Sequence, residues 1–561
     1  MADADDLARL EVHAALGDLG FERDYRRSGR FVYTGTLDRT GLSVPVSIEI
    51  TDFDFVDYPT IKITPQFALP DRKLPHVLGV DRTVCYYAKG AVILDRYDPA
   101  GTVLQCLNKC EDVIRKALGG KLNDDFAEEF GSYWSMVNSL VDLPPGATGK
   151  ASVKYIRLHP TKKPVPVLAK DSSWLWSRDP VKGGKDQGES AFIVRTNAAL
   201  SINPNAKWPP ETLTELDLWL GWNDGALMGK IQEAIAKSKN TVAILAIRAS
   251  NGLFLCRASI PVAYQTTELL KTRREKLSKT LTKIGSKISI ERVNSAPADA
   301  DYVFGRNLEG NSNLAGKRIL LIGCGTIGSF LAQQLAQCGA GFRNGELTLV
   351  DPELLYPANL GRHLLGAPFL YENKANACAE FIKGQLPPLN IRPVANYAES
   401  VEIGPNHYDL VIDATGEEAL SIALNHHAVN KRPRSPPHLF VWLEGNGAVA
   451  KSILTGDPDH ACLKCLKPRL AKDPRHKTLK SAEDIVVERN AACGDGAYVP
   501  FPVSRSVGAA ALACDHVLDW ANGVHNDRFR SRTFDNAKAY NIADSSPKRS
   551  ADCPACGKSS A

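Results

Sequence analysis

The sequence predicts an α/β protein: a mostly parallel sheet flanked by helices in its C-terminal half, an α+β domain at its start, and a mixed α/β connector between them. Three observations carry this. Short apolar segments at Arg318–Ile322, Leu347–Val350 and Leu410–Ala414 lie near helical patterns, the signature of parallel strands linked by helices. Val44, Val46, Ile48 and Ile50 alternate, which is strand spacing with one buried face. The 561 residues suffice for about three domains, placed at 1–143, 144–300 and 301–561.

Taken in order, Leu7, Leu10 and Ala14 recur at helical spacing and predict an opening helix. A turn-rich passage with Tyr58-Pro59 and Pro65 follows the strands, and residues 102–118 return to a helical pattern. Pro144-Pro145-Gly146 marks a boundary. The connector contains Trp174, Trp176, Trp208, Trp219 and Trp222, too many tryptophans for a disordered linker. Val242–Ala249 and Leu253–Val262 are its strand candidates, and the lysine-rich run Lys271–Lys287 reads as a solvated helix face.

Hydrophobic residues make up 44% and charged residues 23%, ordinary for a globular protein. A net charge of +5 is small for this length and gives no argument for nucleic acid or membrane as a partner. No apolar stretch of about 18 residues occurs, and the start Met-Ala-Asp-Ala-Asp-Asp lacks the basic-then-apolar pattern of a secretory signal. A cytoplasmic location is expected, where thirteen cysteines act as thiols, metal ligands or nucleophiles rather than disulfides.

The segment Ile319–Ser329 runs from an apolar strand into Gly323-x-Gly325-x-x-Gly328 and on into a helical pattern. Glycines there allow a tight turn and close approach of phosphate, and the helix N-terminus offers free N–H groups to an anion. This is the Rossmann-like arrangement. Asp351 closes the next strand, where a carboxylate accepts hydrogen bonds from ribose hydroxyls. So far a dinucleotide-dependent dehydrogenase fits equally well.

The following residues break the tie: Asn359-Leu-Gly-Arg362, then Lys374, then Asp413 at the end of the strand in V-I-D-A-T-G. This resembles the ThiF/MoeB/ubiquitin-activating family. The resemblance implies an ATP site in which Asp351 holds ribose, Asn359, Arg362 and Lys374 hold the triphosphate, and Asp413 helps bind Mg²⁺. Arg306, in G-R-N before the first strand, corresponds to an arginine that reaches the ATP of the other subunit of a homodimer. Attack of a carboxylate on the α-phosphorus needs cations around the departing pyrophosphate and a carboxylate for the metal, so chemistry and resemblance agree.

Cys462-x-x-Cys465 and Cys553-x-x-Cys556 each supply two sulfurs able to face one point, as one edge of a tetrahedral Zn²⁺ site; a redox pair is the other reading. In the resembling family such a site ties the C-terminal segment to the adenylation domain. Between the pairs, Cys493 sits among small residues in N-A-A-C-G-D-G-A, suited to an exposed loop nucleophile. Cys514, in A-L-A-C-D-H-V-L, reads as a buried helix position instead.

In the first domain, Leu74-Pro75-His76-Val77 precedes Thr83-Val84-Cys85-Tyr86. The order resembles a ubiquitin-conjugating domain, whose H-P-N lies eight residues before its cysteine. Cys85 is then the acceptor nucleophile. Val77 stands where the family has asparagine, and His76 reads as a packed structural histidine; Cys106 and Cys110 read as core or helix-surface thiols.

A conjugating-like and an activating-like domain in one chain resemble the fused enzymes of CBASS anti-phage operons. That resemblance implies ATP-dependent adenylation of a carboxyl terminus, with a cGAS/DncV-like nucleotidyltransferase as substrate partner, capture on Cys493, transfer to Cys85 and conjugation to an amine. The alternatives are a ThiF-like sulfur-carrier adenylyltransferase, or a scaffold whose conjugating-like domain only binds.

Overall fold

The computed structural model describes residues 4–25, 30–38, 41–79, 81–135, 138–157, 161–170, 173–178, 189–238, 242–261, 274–432, 434–469, 474–481 and 499–557. They form two compact units, Met1–Ala296 and Pro297–Ala561.

The first unit opens with helix Ala4–Asp18. Its buried residues are Val12 and Leu16, whereas Leu7 and Leu10 are exposed. An antiparallel sheet follows, in spatial order Glu22–Arg23, Phe31–Leu37, Val44–Ile50, Thr60–Ile63, Thr83–Val84, Val77–Leu78. The alternation at Val44, Val46, Ile48 and Ile50 is realised as one buried face. Helix Pro99–Leu118 covers that face with Val103, Leu107 and Ile114, and with Cys106 and Cys110, both buried. Its start follows from local chemistry: Asp98 accepts from the Gly101 amide at 2.9 Å, and Pro99 lacks the N–H that would go unpaired there.

The connector contains a closed seven-stranded barrel, in spatial order Glu189–Arg195, Val242–Ala249, Gly252–Ser259, Ser289–Pro297, Asn138–Asp142, Val165–Ala169, Gly149–Ile156. Closure leaves no exposed sheet edge. One apolar cluster draws residues from all seven strands, among them Val141, Val153, Leu168, Ile193, Ala246, Leu255 and Val293, and so fills the interior. Alternate residues of four strands, such as Phe192, Leu245, Phe254 and Ile290, pack outward with helices Leu213–Asp224, Ala226–Lys237 and Arg274–Ile284. Burial on both faces explains the unbroken apolar run Val242–Ile247. Lys279, Lys283 and Lys287 are exposed, as a solvated helix face requires.

Two short helices, Asp125–Glu128 and Phe130–Trp134, pack onto the barrel. Phe126, Phe130 and Trp134 join Trp208, Trp219 and Phe254 in one aromatic cluster, and the Trp134 indole N–H donates to the Leu255 carbonyl at 2.8 Å. Of the tryptophans that marked the connector as folded, Trp208 and Trp219 meet here, Trp174 and Trp176 lie in the short turn Trp174–Arg178, and Trp222 is half exposed.

The second unit holds a seven-stranded sheet in order Ile391–Val394, Glu346–Val350, Arg318–Ile322, Leu410–Asp413, His438–Glu444, Val449–Leu454, Phe529–Thr533. The first five are parallel and the last two antiparallel. Helices Gly328–Gln337, Lys374–Gln385 and Val503–Ala521 contribute to the largest core, around Leu321, Leu331, Ile382 and Val517. Cys514 is buried on the last of these helices. Strand Arg318–Ile322 lies between strands Glu346–Val350 and Leu410–Asp413, so their carboxyl ends open together at the position where such sheets bind ligands. No described helix is long and apolar enough to cross a membrane.

Candidate functional site

The glycine loop forms at the carboxyl end of strand Arg318–Ile322. Gly323 has φ +89°, a conformation that disfavours any side chain, and a Cβ at Gly328 would stand 1.8 Å from the Gly323 carbonyl oxygen. A Cβ at Gly325 would meet open space, so the loop is tight on one side and accessible on the other.

Asp351 is buried beside this loop. Its carboxylate accepts the Cys324 amide at 2.7 Å and the Glu353 amide at 2.8 Å. Burial pushes its pKa up despite these bonds, leaving a carboxylate that further donors would stabilise. Asn373 links the neighbouring helix to it: its amide group donates to the Asp351 carbonyl at 2.8 Å while its oxygen caps helix Lys374–Gln385. Lys374, the first residue of that helix, is buried and ion-paired with Glu353.

Asp413 ends the next strand, almost fully buried. Thr415 donates to it from its amide at 3.0 Å and its hydroxyl at 2.7 Å, and Ser421 donates at 2.5 Å. Burial still holds its pKa up, and a carboxylate with four lone-pair positions keeps one for a cation. Asn359 accepts the Tyr356 amide at 2.9 Å, shaping the short turn before Arg362, whose guanidinium lies 5.6 Å from the Phe501 ring centre. Arg306 stands apart from this group: it is exposed after helix Ala300–Gly305 and hydrogen-bonded to the Tyr302 hydroxyl at 3.1 Å.

Sequence reasoning missed three residues that knit this site. Thr326 donates from its hydroxyl to the Arg362 carbonyl at 2.8 Å. His363 takes the Leu365 amide on Nδ1, so Nε2 carries the proton and donates to the Cys324 carbonyl at 2.7 Å. Glu353 pairs Lys374. Their only signal was adjacency to the motif residues.

Cys493 lies outside the described residues. The segments on either side attach to one turn. Thr478 donates to Glu444 at 2.9 Å, and the Asn446 side chain donates to the Pro500 carbonyl at 3.1 Å. A cavity of about 330 Å³ lies there, lined by Gly447, Pro500 and Arg505 among others.

Cys462, Cys465, Cys553 and Cys556 converge, all buried, with every sulfur within 4.8 Å of the others. Sulfurs of Cys462 are 3.8 Å from those of Cys465 and Cys553, and Cys465 is 3.2 Å from Cys556. Bonds of about 2.3 Å to a tetrahedral Zn²⁺ set sulfurs about 3.8 Å apart, so the donor set fits that ion. The Asn425 amide at 3.6 Å and the Ser550 amide at 3.4 Å donate to the sulfurs, the outer support thiolate ligands need.

In the first unit, Cys85 is partly exposed beside the short strand Thr83–Val84, its amide donating to the His76 carbonyl at 2.8 Å. Val77 lies in strand Val77–Leu78. His76 is more than a packed residue: it lies across from Cys85 and places Nε2 2.7 Å from Asp125.

A ThiF family model matches residues 303–555, and a Prokaryotic E2 family B model matches residues 13–141. The ATP-dependent ubiquitin transferase-like protein Cap2 of Pseudomonas aeruginosa is 32% identical over 92% of this chain and 92% of its own length. The chain belongs to the Cap2 family. The Escherichia coli Cap2 protein is 25% identical over 88% of this chain and 89% of its own. Among solved structures, Escherichia coli MccB matches 53% of this chain and 75% of its own at 18% identity; its TM-score of 0.34 is too low to bear on the fold. Family membership and the two domain matches make the chain a fused activating- and conjugating-like transferase that uses ATP.

Proposed function

We propose that this Cap2 relative adenylates the C-terminal carboxylate of a protein, captures the acyl group on Cys493, passes it to Cys85 and joins it to an amine, with a cGAS/DncV-like nucleotidyltransferase as the acyl donor in a cytoplasmic CBASS anti-phage system. The division into a conjugating-like domain at 1–143, a connector at 144–300 and an adenylation domain at 301–561 belongs to this reading. One observation carries it: the glycine loop, Asp351, Lys374 and Asp413 converge at the carboxyl ends of adjacent parallel strands, in a chain that also presents Cys85.

In this reading Asp351 receives the ribose hydroxyls and the Gly323–Gly328 loop the phosphates. Lys374 exchanges Glu353 for phosphate, and Asn359 and Arg362 flank the triphosphate. The substrate carboxylate attacks the α-phosphorus and pyrophosphate departs. Asp413 would hold Mg²⁺, which when bound neutralises charge on the departing group. The Cys493 thiolate then takes the acyl group and releases AMP, and the relay through Cys85 divides one difficult condensation into easier steps. The four cysteines would hold Zn²⁺, supplying folding energy rather than chemistry. Arg306, exposed as it is, suits a contact across a homodimer.

The experiment is ATP–pyrophosphate exchange with the nucleotidyltransferase encoded beside this chain. Exchange that depends on the donor's C-terminal residue and on Lys374 supports the reading; exchange with no donor requirement refutes it.

A further inference from the structure

Cys85 and His76 stand opposite one another across the short strands Val77–Leu78 and Thr83–Val84, joined by the Cys85 amide and the His76 carbonyl at 2.8 Å, and Asp125 fixes the His76 ring. His76 Nε2 is 2.7 Å from Asp125 Oδ2, and Nδ1 is 3.6 Å from Glu129 Oε2. The His76 amide donates to the Tyr133 hydroxyl at 3.2 Å. His76 itself holds φ +61°, a strained conformation for a residue with a side chain. Beside the ring thus stand Cys85 and the carboxylates of Asp125 and Glu129, with the Tyr133 hydroxyl at the His76 backbone.

The carboxylates are held by the connector. Asp125 and Glu129 belong to the two short helices whose Phe126, Phe130 and Trp134 are buried in the barrel's aromatic cluster. Barrel side chains cap the same backbone. Asn294 donates to the Gly131 and Ser135 carbonyls at 3.0 Å, Arg292 to the Trp134 carbonyl at 2.8 Å, and Asn251 to the Ala127 carbonyl at 2.6 Å.

We propose that His76 is a catalytic residue whose charged ring stabilises the Cys85 thiolate, and that Asp125, mounted on the connector barrel, is its positioning residue. Beside Cys85, Asp125 and Glu129, and against the opposing effect of burial, the imidazole is pushed up to about 9, so it holds a proton at neutral pH. The Cys85 thiol gives its proton to solvent, its thiolate is held by the charged ring, and the sulfur attacks the incoming thioester carbonyl. A new C–S bond forms, the old one breaks, and the departing thiolate takes a proton from solvent. The pair supplies what asparagine does not at Val77, an electrostatic partner for the sulfur rather than for the oxyanion.

The inference rests on Cys85 being the acceptor, and its test needs neither ATP nor acyl donor, so its failure is distinguishable from failure of the relay. Full-length wild type, H76Q and D125N are labelled briefly with iodoacetamide from pH 5.5 to 9, and the Cys85 peptide is quantified by mass spectrometry. Buried Cys106 and Cys110 report folding in the same sample. At pH 6.5 wild-type Cys85 is expected to react ~10-fold faster than in H76Q, whose rate rises only toward the free-thiol range near pH 8.5. D125N shifts the same way by a smaller factor. Equal Cys85 rates across the range in wild type and folded H76Q, or in D125N should H76Q not fold, overturn the proposal.

Discussion

At the residue scale, buried carboxylates set the balance between activity and stability. Asp413 ionises at a site where burial opposes its charge, so its folded pKa is raised and its charged form costs stability once pH exceeds the unfolded value. Asp413→Asn removes that cost, and the Ser421 hydroxyl can rotate to accept from the new amide. The expected outcome is a melting temperature higher by roughly 2–4 °C with adenylation lost, read by thermal denaturation beside pyrophosphate exchange. Lys374→Ala removes a buried cation from the proposed phosphate site and should slow exchange by about 10²–10³-fold. His76 has the opposite sign to Asp413. Its folded pKa of about 9 exceeds its ordinary 6.5, so its contribution is fully present below 6.5 and is lost as pH rises through 9. Urea denaturation at pH 6 and pH 9.5 should therefore show wild type losing more stability than H76Q; parallel losses count against the charged ring.

At the scale of elements, local signals and distant pairings diverge. The glycine loop could be read because strand, turn and helix are contiguous: close packing of Gly328 on the Gly323 carbonyl leaves no choice of residue. The same holds for helix Pro99–Leu118, whose cap is written in Asp98-Pro99. The barrel could not be read that way. Its closure joins Gly149–Ile156 to Glu189–Arg195, and Ser289–Pro297 is followed in spatial order by Asn138–Asp142. Periodicity within a strand says nothing of its partner. Nor could Leu7 and Leu10 announce that the opening helix turns Val12 and Leu16 inward instead, because both pairs satisfy helical spacing. The aromatic cluster gives this scale its test. Trp134→Ala should destabilise the first unit by roughly 3–5 kcal/mol in urea melts and release Asp125 from His76.

At the scale of the whole molecule, the chain joins two chemistries that each need a buried cation or thiol held in place. Four cysteines distant in sequence close the second unit; the two C-x-x-C spacings were legible, though their convergence with Asn425 and Ser550 was not. Exhaustive chelation should lower the melting temperature of the wild type and leave a Cys553→Ser variant unchanged, with zinc content measured in parallel. His76 and Asp125 were unreadable for a related reason: a separation of 49 residues bridged by the connector leaves no local motif. The central claim is the order of the relay. It is tested most directly by incubating wild type, Cys85→Ala and Cys493→Ala with ATP, Mg²⁺ and the nucleotidyltransferase, then mapping reductant-sensitive adducts. The account predicts acyl groups on both cysteines in wild type, on Cys493 alone in Cys85→Ala, and none in Cys493→Ala; an adduct on Cys85 in the Cys493→Ala variant would contradict it.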